Sequence, residues 1–423
     1  MLYIVLEKKM ANEILSGIRV IDLTQFLAAP TVGRVLGEWG ADVIKVEAPK
    51  GDAGRTQGAV FGMKYEDDEN LGFDVSNMNK RFITLNMKTP AGMQAFKDLL
   101  KTADVFLTSV RTKSLAHMGI TWEGLHKEFP KLVFAQDRGY GEFGPKKDSA
   151  GYDATAYQAR GGVQGTTVDK GGNPYNPVNG YGDFQVSMTL AAGICAALLR
   201  AQRTGKGDKV VVNLNHAAIF MQNIAMVSAQ YGNVYPKSRK EVTNPFNDTY
   251  KTSDDRWFVL CVPEYDRDFD KVMHDIGRDD VKGDERYNKM DTLNANGTSN
   301  EVIAILEDAF KKKPLQYWID LFNKEDLPLE ACQIPTEIYQ DPEALDNDEI
   351  RLMEFPSGNK RFIPTNPVRF SSQGKPTLTP SRAQGSDTRE VLKDELGYSD
   401  EKISEMFASG AASGLRHIGD PIK

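Results

Sequence analysis

Short β-branched runs alternate with amphipathic stretches through the first half of the chain. "RVIDLT", "ADVIKVEAP", "RFITLNM", "DVFLTSV" and "LVFAQDRGY" are almost continuously apolar over strand length, while "TVGRVLGEWG" and "AGMQAFKDLLKTA" read as helices. Strand, helix, strand in that rhythm predicts βαβ units and a mostly parallel sheet, and strands this apolar fit a sheet covered on both faces. "KVVVNLNHAAIFMQNIAMVSAQYG" adds a strand leading into a helix, and "VNGYGDFQVSMTLAAGICAALLRAQRTGKGDKV" sets a long apolar helix behind a polar Gly/Asn loop. The texture then changes. "GNVYPKSRKEVTNPFND" is a Pro/Asn-rich, charged linker, followed by one strand, "RWFVLCVP", and helices including "SNEVIAILEDAFKK" and "PLQYWIDLFNKE". Beyond "LPLEACQIP" the runs "RLMEFP" and "VRFSS" predict short extended pieces, ahead of an amphipathic tail, "DTREVLKDELGYSDEKISEMFAS". No repeat of fixed period interrupts this order.

Length adds a domain count: 423 residues exceed one ordinary core, so two domains are expected. Charge removes a class of partner. The net charge of −7 carries no basic block, which argues against a nucleic-acid surface and for a small ligand. Cys195, Cys261 and Cys332 are odd in number and widely spaced, and no two of the five histidines lie at i, i+4, so neither a disulfide framework nor a metal site is indicated. The longest uncharged apolar run, Val186 to Leu199, is short of the about 20 residues that span a bilayer. "LYIVLEKKM" lacks the length and cleavage site of a signal peptide. A cytoplasmic protein without membrane partners is expected.

Two places could carry chemistry. "GYGEFG", Gly139 to Gly144, satisfies GxGxxG after a strand, but the fingerprint works only where a helix opens on the last glycine, and "PKKDSAG" follows instead. A tight-turn loop is the better reading and a nicotinamide dehydrogenase the alternative. Asp183 stands at the head of the long helix, where Asp is a favoured N-cap worth about 1 kcal/mol. Against a cap alone stand Tyr181 and Gly182, whose bare backbone would admit a large substrate, and the helix N-terminus, which would keep the carboxylate ionised for nucleophilic attack. Both roles remain open on the residues themselves, and with a cap alone the protein would be a non-catalytic binder.

"LSGIRVIDLTQFLAAPTVGRVLGEWGADVIKVEAPKGDAGR", "NKRFITLNMKTPAG", "ADVFLTSVRTKSLAHMGITWEGL", "GYDATAYQARGG", "GDFQVSM" with "TGKGDKV", and "LGYSDEKI" together resemble the family III CoA-transferases, which include formyl-CoA transferase and the CaiB and BaiF enzymes. The resemblance runs through nearly the whole chain in order and is densest toward the branch acting on 2-hydroxy acids in amino-acid fermentation. It implies an α/β fold: a Rossmann-like large domain from residues 1–225 and 331–423, a smaller α+β domain from 226–330, and an interlocked homodimer. It implies Asp183 as nucleophile, no permanently bound cofactor, and a coenzyme A thioester as co-substrate. By position it places CoA against Phe26, Leu27 and Ala28, against Leu85, Asn86, Met87 and Lys88, and against Ser109, Val110 and Arg111. His117 and Ala48 stand where formyl-CoA transferase has arginines, so Lys50, Arg111 and Lys88 are expected to hold the phosphates. Tyr152 and Asp153 match an active-site pair, with a turn Asp the alternative for Asp153, and Gly182 completes the support. Leu27 replaces a glutamine, and "TNPFNDTYK" replaces a glycine-rich shielding loop. A leucine there favours an apolar acyl chain, hence a branched or aromatic 2-hydroxy acid as acceptor from an acyl-CoA or enoyl-CoA donor. A carnitine- or bile-acid-type exchange is the alternative within the family.

Overall fold

A computed structural model describes residues 13–421, so the "LYIVLEKKM" reading lies outside the described residues. Six parallel strands, β1 (Arg19–Leu23), β2 (Asp42–Glu47), β3 (Arg81–Leu85), β4 (Val105–Thr108), β5 (Val133–Arg138) and β6 (Lys209–Asn213), lie in the order 3-2-1-4-5-6. The short strand Ala412–Ser413 adds to β3 antiparallel. Between them run α1 (Ala28–Glu38), α2 (Pro90–Leu100), α3 (Thr112–His117) and α4 (Tyr181–Thr204), and α5 (Leu214–Met221) follows β6.

The doubled burial expected of these strands is realised in β1 to β5, while β6 at the sheet's edge is half-buried throughout. Val20, Val43, Val105 and Val133 face one layer, with Val32 and Leu36 of α1 and Leu190, Ile194 and Leu198 of α4. Their neighbours Ile21, Ile44, Phe106 and Phe134 face the other, with Phe96 and Leu99 of α2 and Ile403 and Met406 near the chain's end. Consecutive strand residues point to opposite faces, so a strand apolar at every position is the one that fits between two helical layers. The order 3-2-1-4-5-6 reverses direction between β1 and β4, and in such sheets a crevice opens beyond the strands' carboxyl ends at that point.

Helix α4, at 24 residues, is longer than the apolar run that marks it in the sequence, and by length and composition alone it could cross a membrane. Its buried Leu190, Ile194 and Leu198 instead form part of the sheet-covering layer, and Val186 packs with Ala28, Tyr140 and Leu214.

The chain falls into two compact units. The first takes the residues up to Val163, then Asn176–Asn223, then Pro342 onward; the second takes Gln164–Tyr175 and Ile224–Asp341. Residues 164–175, read from sequence as part of the large domain, belong with the second unit because they bond to it: Lys170 N–H donates to Lys237 O at 2.9 Å and Arg239 N–H to Asp169 Oδ1 at 2.9 Å. The return to the first unit falls at Pro342 rather than at 331, since β9 (Leu329–Ala331) closes the second unit's antiparallel sheet beside β8 (Trp257–Cys261) and β7 (Asn247–Lys251). "TNPFNDTYK" is thus largely a sheet strand. Phe246, Tyr250, Phe258, Phe269, Phe310 and Phe322 fill that unit's core. The run "VRFSS" forms no strand, because Val368 N–H is taken by the Asn366 side chain; the hairpin partner of Ile350–Glu354 is Lys360–Pro364.

Candidate active site

A cavity of about 640 Å³ opens in the first unit at the ends of β1, β4 and β5, where the sheet reverses direction. The turn after β1 gives it Phe26, Leu27 and Ala28; the end of β4 gives Ser109, Val110 and Arg111; β5 and the loop behind it give Asp137 through Tyr140; and Asp183 faces them from α4. Lys50, Tyr152 and Leu214 complete the part that matters here. Residues more than 150 positions apart in sequence therefore share one wall.

The turn after β1 is held from beneath. Phe26 has φ +68°, a backbone conformation unfavourable for a residue with a side chain. Its N–H donates to Asp52 Oδ1 at 3.2 Å, and the other Asp52 oxygen is paired at 2.9 Å with Lys45, both side chains fully buried. Gln25 N–H donates to Ser109 Oγ at 3.1 Å. Above the turn, the Phe26 ring meets Tyr152 edge-on at 5.9 Å. Helix α1 starts from Leu27 with no side-chain cap, and Ala28, its first residue, lines the cavity.

Helix α4 begins three residues earlier than a cap at Asp183 requires. Gly180 is its N-cap and Asp183 sits in the first turn. The capping is done by a different carboxylate: Asp153, itself buried, accepts from Gly180 N–H and Gly182 N–H at 2.9 Å each. No hydrogen bond from the described residues reaches the carboxylate of Asp183, which is left facing the cavity. Gly182 is also read differently now. A Cβ there would fall 2.2 Å from the Tyr157 ring and 2.4 Å from Asp153 Oδ1, so its bareness admits the cap and not a substrate.

The helix N-terminus does not keep Asp183 readily ionised. Burial, and then the charge of Asp153, push its carboxyl up to about 7, and together they outweigh the dipole, which favours the anion by about 0.3–1 kcal/mol in exposed settings. Asp137 lies across the cavity at the end of β5, nine-tenths buried, with Oδ1 unpartnered. Burial first, and the Asp183 charge second, raise its carboxyl well above the usual carboxylate range. The sequence reading missed it; the available signal was a lone acid ending an apolar strand at the sheet's carboxyl edge.

Of the residues expected from sequence, Phe26, Leu27, Ala28, Lys50, Ser109, Val110, Arg111, Tyr152 and Asp183 line the cavity, and Asp153 and Gly182 support Asp183 from behind. The "LNMK" segment is not part of its wall. Leu85 is fully buried in the sheet core, Met87 packs against that core, Asn86 shapes the turn into α2, and Lys88 is exposed on that turn. His117 is exposed at the end of α3. Two further cations on the wall, Arg138 and Lys147, were not anticipated. Arg138 is engaged, donating to Tyr140 O at 3.2 Å and to the Thr112 hydroxyl. GYGEFG leads into turns rather than a helix, and its first glycine packs against Gly151, 2.6 Å from where a Cβ would stand. The dinucleotide reading thereby loses its helix.

A doubly wound sheet whose switch-point cavity presents an uncapped aspartate and cationic rim residues suits acyl transfer from a large anionic thioester. The chain belongs to CoA-transferase family III, whose description matches residues 15–388, and it is an enzyme of that family. It is 43% identical over 394 residues to the cinnamoyl-CoA:phenyllactate CoA-transferase of Clostridium sporogenes, covering 92% of this chain and 95% of that one. It is 39% identical to the (R)-2-hydroxy-4-methylpentanoate CoA-transferase of Clostridioides difficile, covering 92% and 97%. The crystal structure of a CAIB/BAIF family protein from Brucella suis superposes with a TM-score of 0.75 at 26% identity, covering 91% of this chain and all of that one.

Proposed function

We propose that this protein moves CoA from an acyl-CoA or enoyl-CoA onto a 2-hydroxy carboxylic acid with a branched or aromatic side chain, such as 2-hydroxyisocaproate or phenyllactate, with Asp183 as nucleophile. The observation that carries the catalytic half is the carboxylate of Asp183, relieved of capping by Asp153 and open to the cavity. The substrate half is supported by the names of the two relatives and by Leu27, which stands on the wall with Phe26, Tyr152 and Leu214.

Asp183 in its ionised form attacks the donor thioester, giving an acyl-aspartyl anhydride and CoA thiolate. The thiolate attacks the aspartyl carbonyl, releasing the donor acid and leaving an aspartyl-CoA thioester. The acceptor carboxylate displaces the thiolate through a second anhydride, and the thiolate then takes the acceptor's acyl group and frees Asp183. Activated acyl bonds pass between protein and thiol without being handed to water. Each oxyanion needs donors, a part that suits the N–H of Ala28 at the uncapped head of α1. Lys50, Arg111 and Lys147 at the cavity are the cations we assign to the phosphates, and Asn86, Met87, Lys88 and His117 to the part of CoA that extends beyond it.

The same reading assigns the enzyme to leucine or phenylalanine fermentation in the cytoplasm and to an interlocked homodimer built of a Rossmann-like large domain and a small domain. The exposed Phe220 and Met221 of α5 are large apolar side chains that a second chain would cover. Light scattering at micromolar concentration gives the dimer mass on this account, and a clean monomer refutes it. The substrate is tested by a panel of acids against one acyl-CoA donor. 2-Hydroxyisocaproate or phenyllactate exceeds oxalate and formate at least tenfold in kcat/KM, as a few buried methyl groups imply; equal turnover with oxalate refutes the assignment.

A further inference from the structure

An enzyme that accepts 2-hydroxy acids needs a polar group for the hydroxyl within an otherwise apolar acyl pocket. A buried polar atom with no partner costs about 1–3 kcal/mol, so one that persists on a cavity wall is a place where a ligand atom belongs. Asp137 meets that description. It lies at the end of β5 on the side of the cavity that faces Asp183, the residue is 8% exposed, and its Oδ1 has no hydrogen-bond partner among the described residues. The other buried acids around the turn after β1 are committed: Asp52 to Lys45 and the backbone N–H groups of Phe26 and Gly54, and Asp22 to Lys80. Asp153 spends both its oxygens on the cap of α4.

We propose that Asp137 is the specificity-determining residue for the acceptor's 2-hydroxyl group, which its carboxyl group receives as a hydrogen bond at the cavity wall while the acceptor carboxylate is turned toward Asp183. The assignment rests on the 2-hydroxy-acid reading above. Burial first, and the Asp183 charge second, push the Asp137 carboxyl well above the usual carboxylate range, toward its neutral form. In that neutral form it accepts at one oxygen and donates at the other without repelling an acid substrate. The donor acid, lacking the hydroxyl, fills the same pocket with Asp137 idle, so the residue acts on the choice of acceptor and not on the chemistry at Asp183.

The test is the ratio of kcat/KM for 2-hydroxy-4-methylpentanoate to that for 4-methylpentanoate, measured with one acyl-CoA donor in wild type, Asp137→Leu and Asp137→Asn. Leucine keeps the branching and removes the acceptor; asparagine keeps an acceptor. The ratio falls at least tenfold in Asp137→Leu, through a raised KM for the hydroxy acid with turnover of the plain acid retained, and stays within about threefold of wild type in Asp137→Asn. Asp137→Ala adds no bulk and carries the same expectation should leucine fail to fit, with thermal melts reporting on folding. A wild-type ratio near one overturns the 2-hydroxy-acid reading and this assignment with it. A wild-type preference that survives in the folded leucine or alanine variant, or equal losses on both acids, overturns the assignment alone.

Discussion

The buried charges on either side of the turn after β1 follow opposite rules. Around β1 and β2, every charge has a partner: Lys80 Nζ meets Asp22 at 2.8 Å, Lys45 meets Asp52 at 2.9 Å, and Arg55 meets Glu47 at 2.6 Å, all with side chains at most 8% exposed. On the cavity side, Asp137 and Asp183 form no ion pair with any described residue, and burial raises the pKa of each. Asp137 is buried, as the paired acids are, so for it the difference lies in pairing. A chain that satisfies buried carboxylates this thoroughly in one region leaves them unsatisfied in another where a ligand is to meet them. The paired set holds the Phe26 turn still, and the unpaired set works on what that turn admits.

The largest expected effect separates the two regions. Asp183→Ala takes transfer to background, yet leaves the fold intact. No cap is lost, because Asp153 supplies it. Its stability even moves the other way with pH: a carboxyl raised from 3.8 to about 7 holds its proton in the folded state where the unfolded chain has lost it, so wild-type stability falls as pH rises through that window. Urea melts at pH 8 therefore place the variant at or above wild type, and a clear destabilisation counts against an uncapped Asp183. Next comes Lys80→Met, which strips Asp22 of its buried partner and costs about 3–5 kcal/mol, read as a lower urea midpoint. A loss under about 1 kcal/mol, the size of a surface pair, removes the contrast between the regions.

A third change sharpens the comparison. Asp153→Asn removes the charge that helps raise Asp183, so the acidic limb of the kcat/KM profile, set near pH 7 in wild type, moves to lower pH. It also leaves one of two N–H groups poorly satisfied, for about 1 kcal/mol of stability. An unmoved limb means that burial alone sets the Asp183 carboxyl. The smallest effect is at Leu27→Gln, which narrows the preference for branched or aromatic acceptors over oxalate by about tenfold, measured by competing the two acids; an unchanged preference removes Leu27 from the acyl pocket.

The sheet was legible because burial on two faces writes itself as short runs rich in Val, Ile, Leu and Phe, interrupted only by single polar residues such as Asp22, Lys45 and Gln136. The hairpin Lys360–Pro364 and the segment 164–175 were not, because their places follow from partners distant in sequence and not from local periodicity. At the site, Asp183 stood out through its glycine-flanked position and the family likeness. Its cap did not, since nothing in "GYDATAY" states that Asp153 reaches the backbone of Gly180 and Gly182. Asp137 in "LVFAQDRGY" looks like any strand-ending acid until β5 is set beside β4 at the cavity.

The central claim, that the uncapped Asp183 forms covalent bonds with substrate, is tested most directly by peptide mass spectrometry after mixing the protein with an acyl-CoA alone. The account predicts a CoA-sized adduct on the peptide containing Asp183, absent from Asp183→Ala and discharged on adding the acceptor acid. A wild-type protein that turns over fully with no adduct at Asp183, or with one on another side chain, contradicts it.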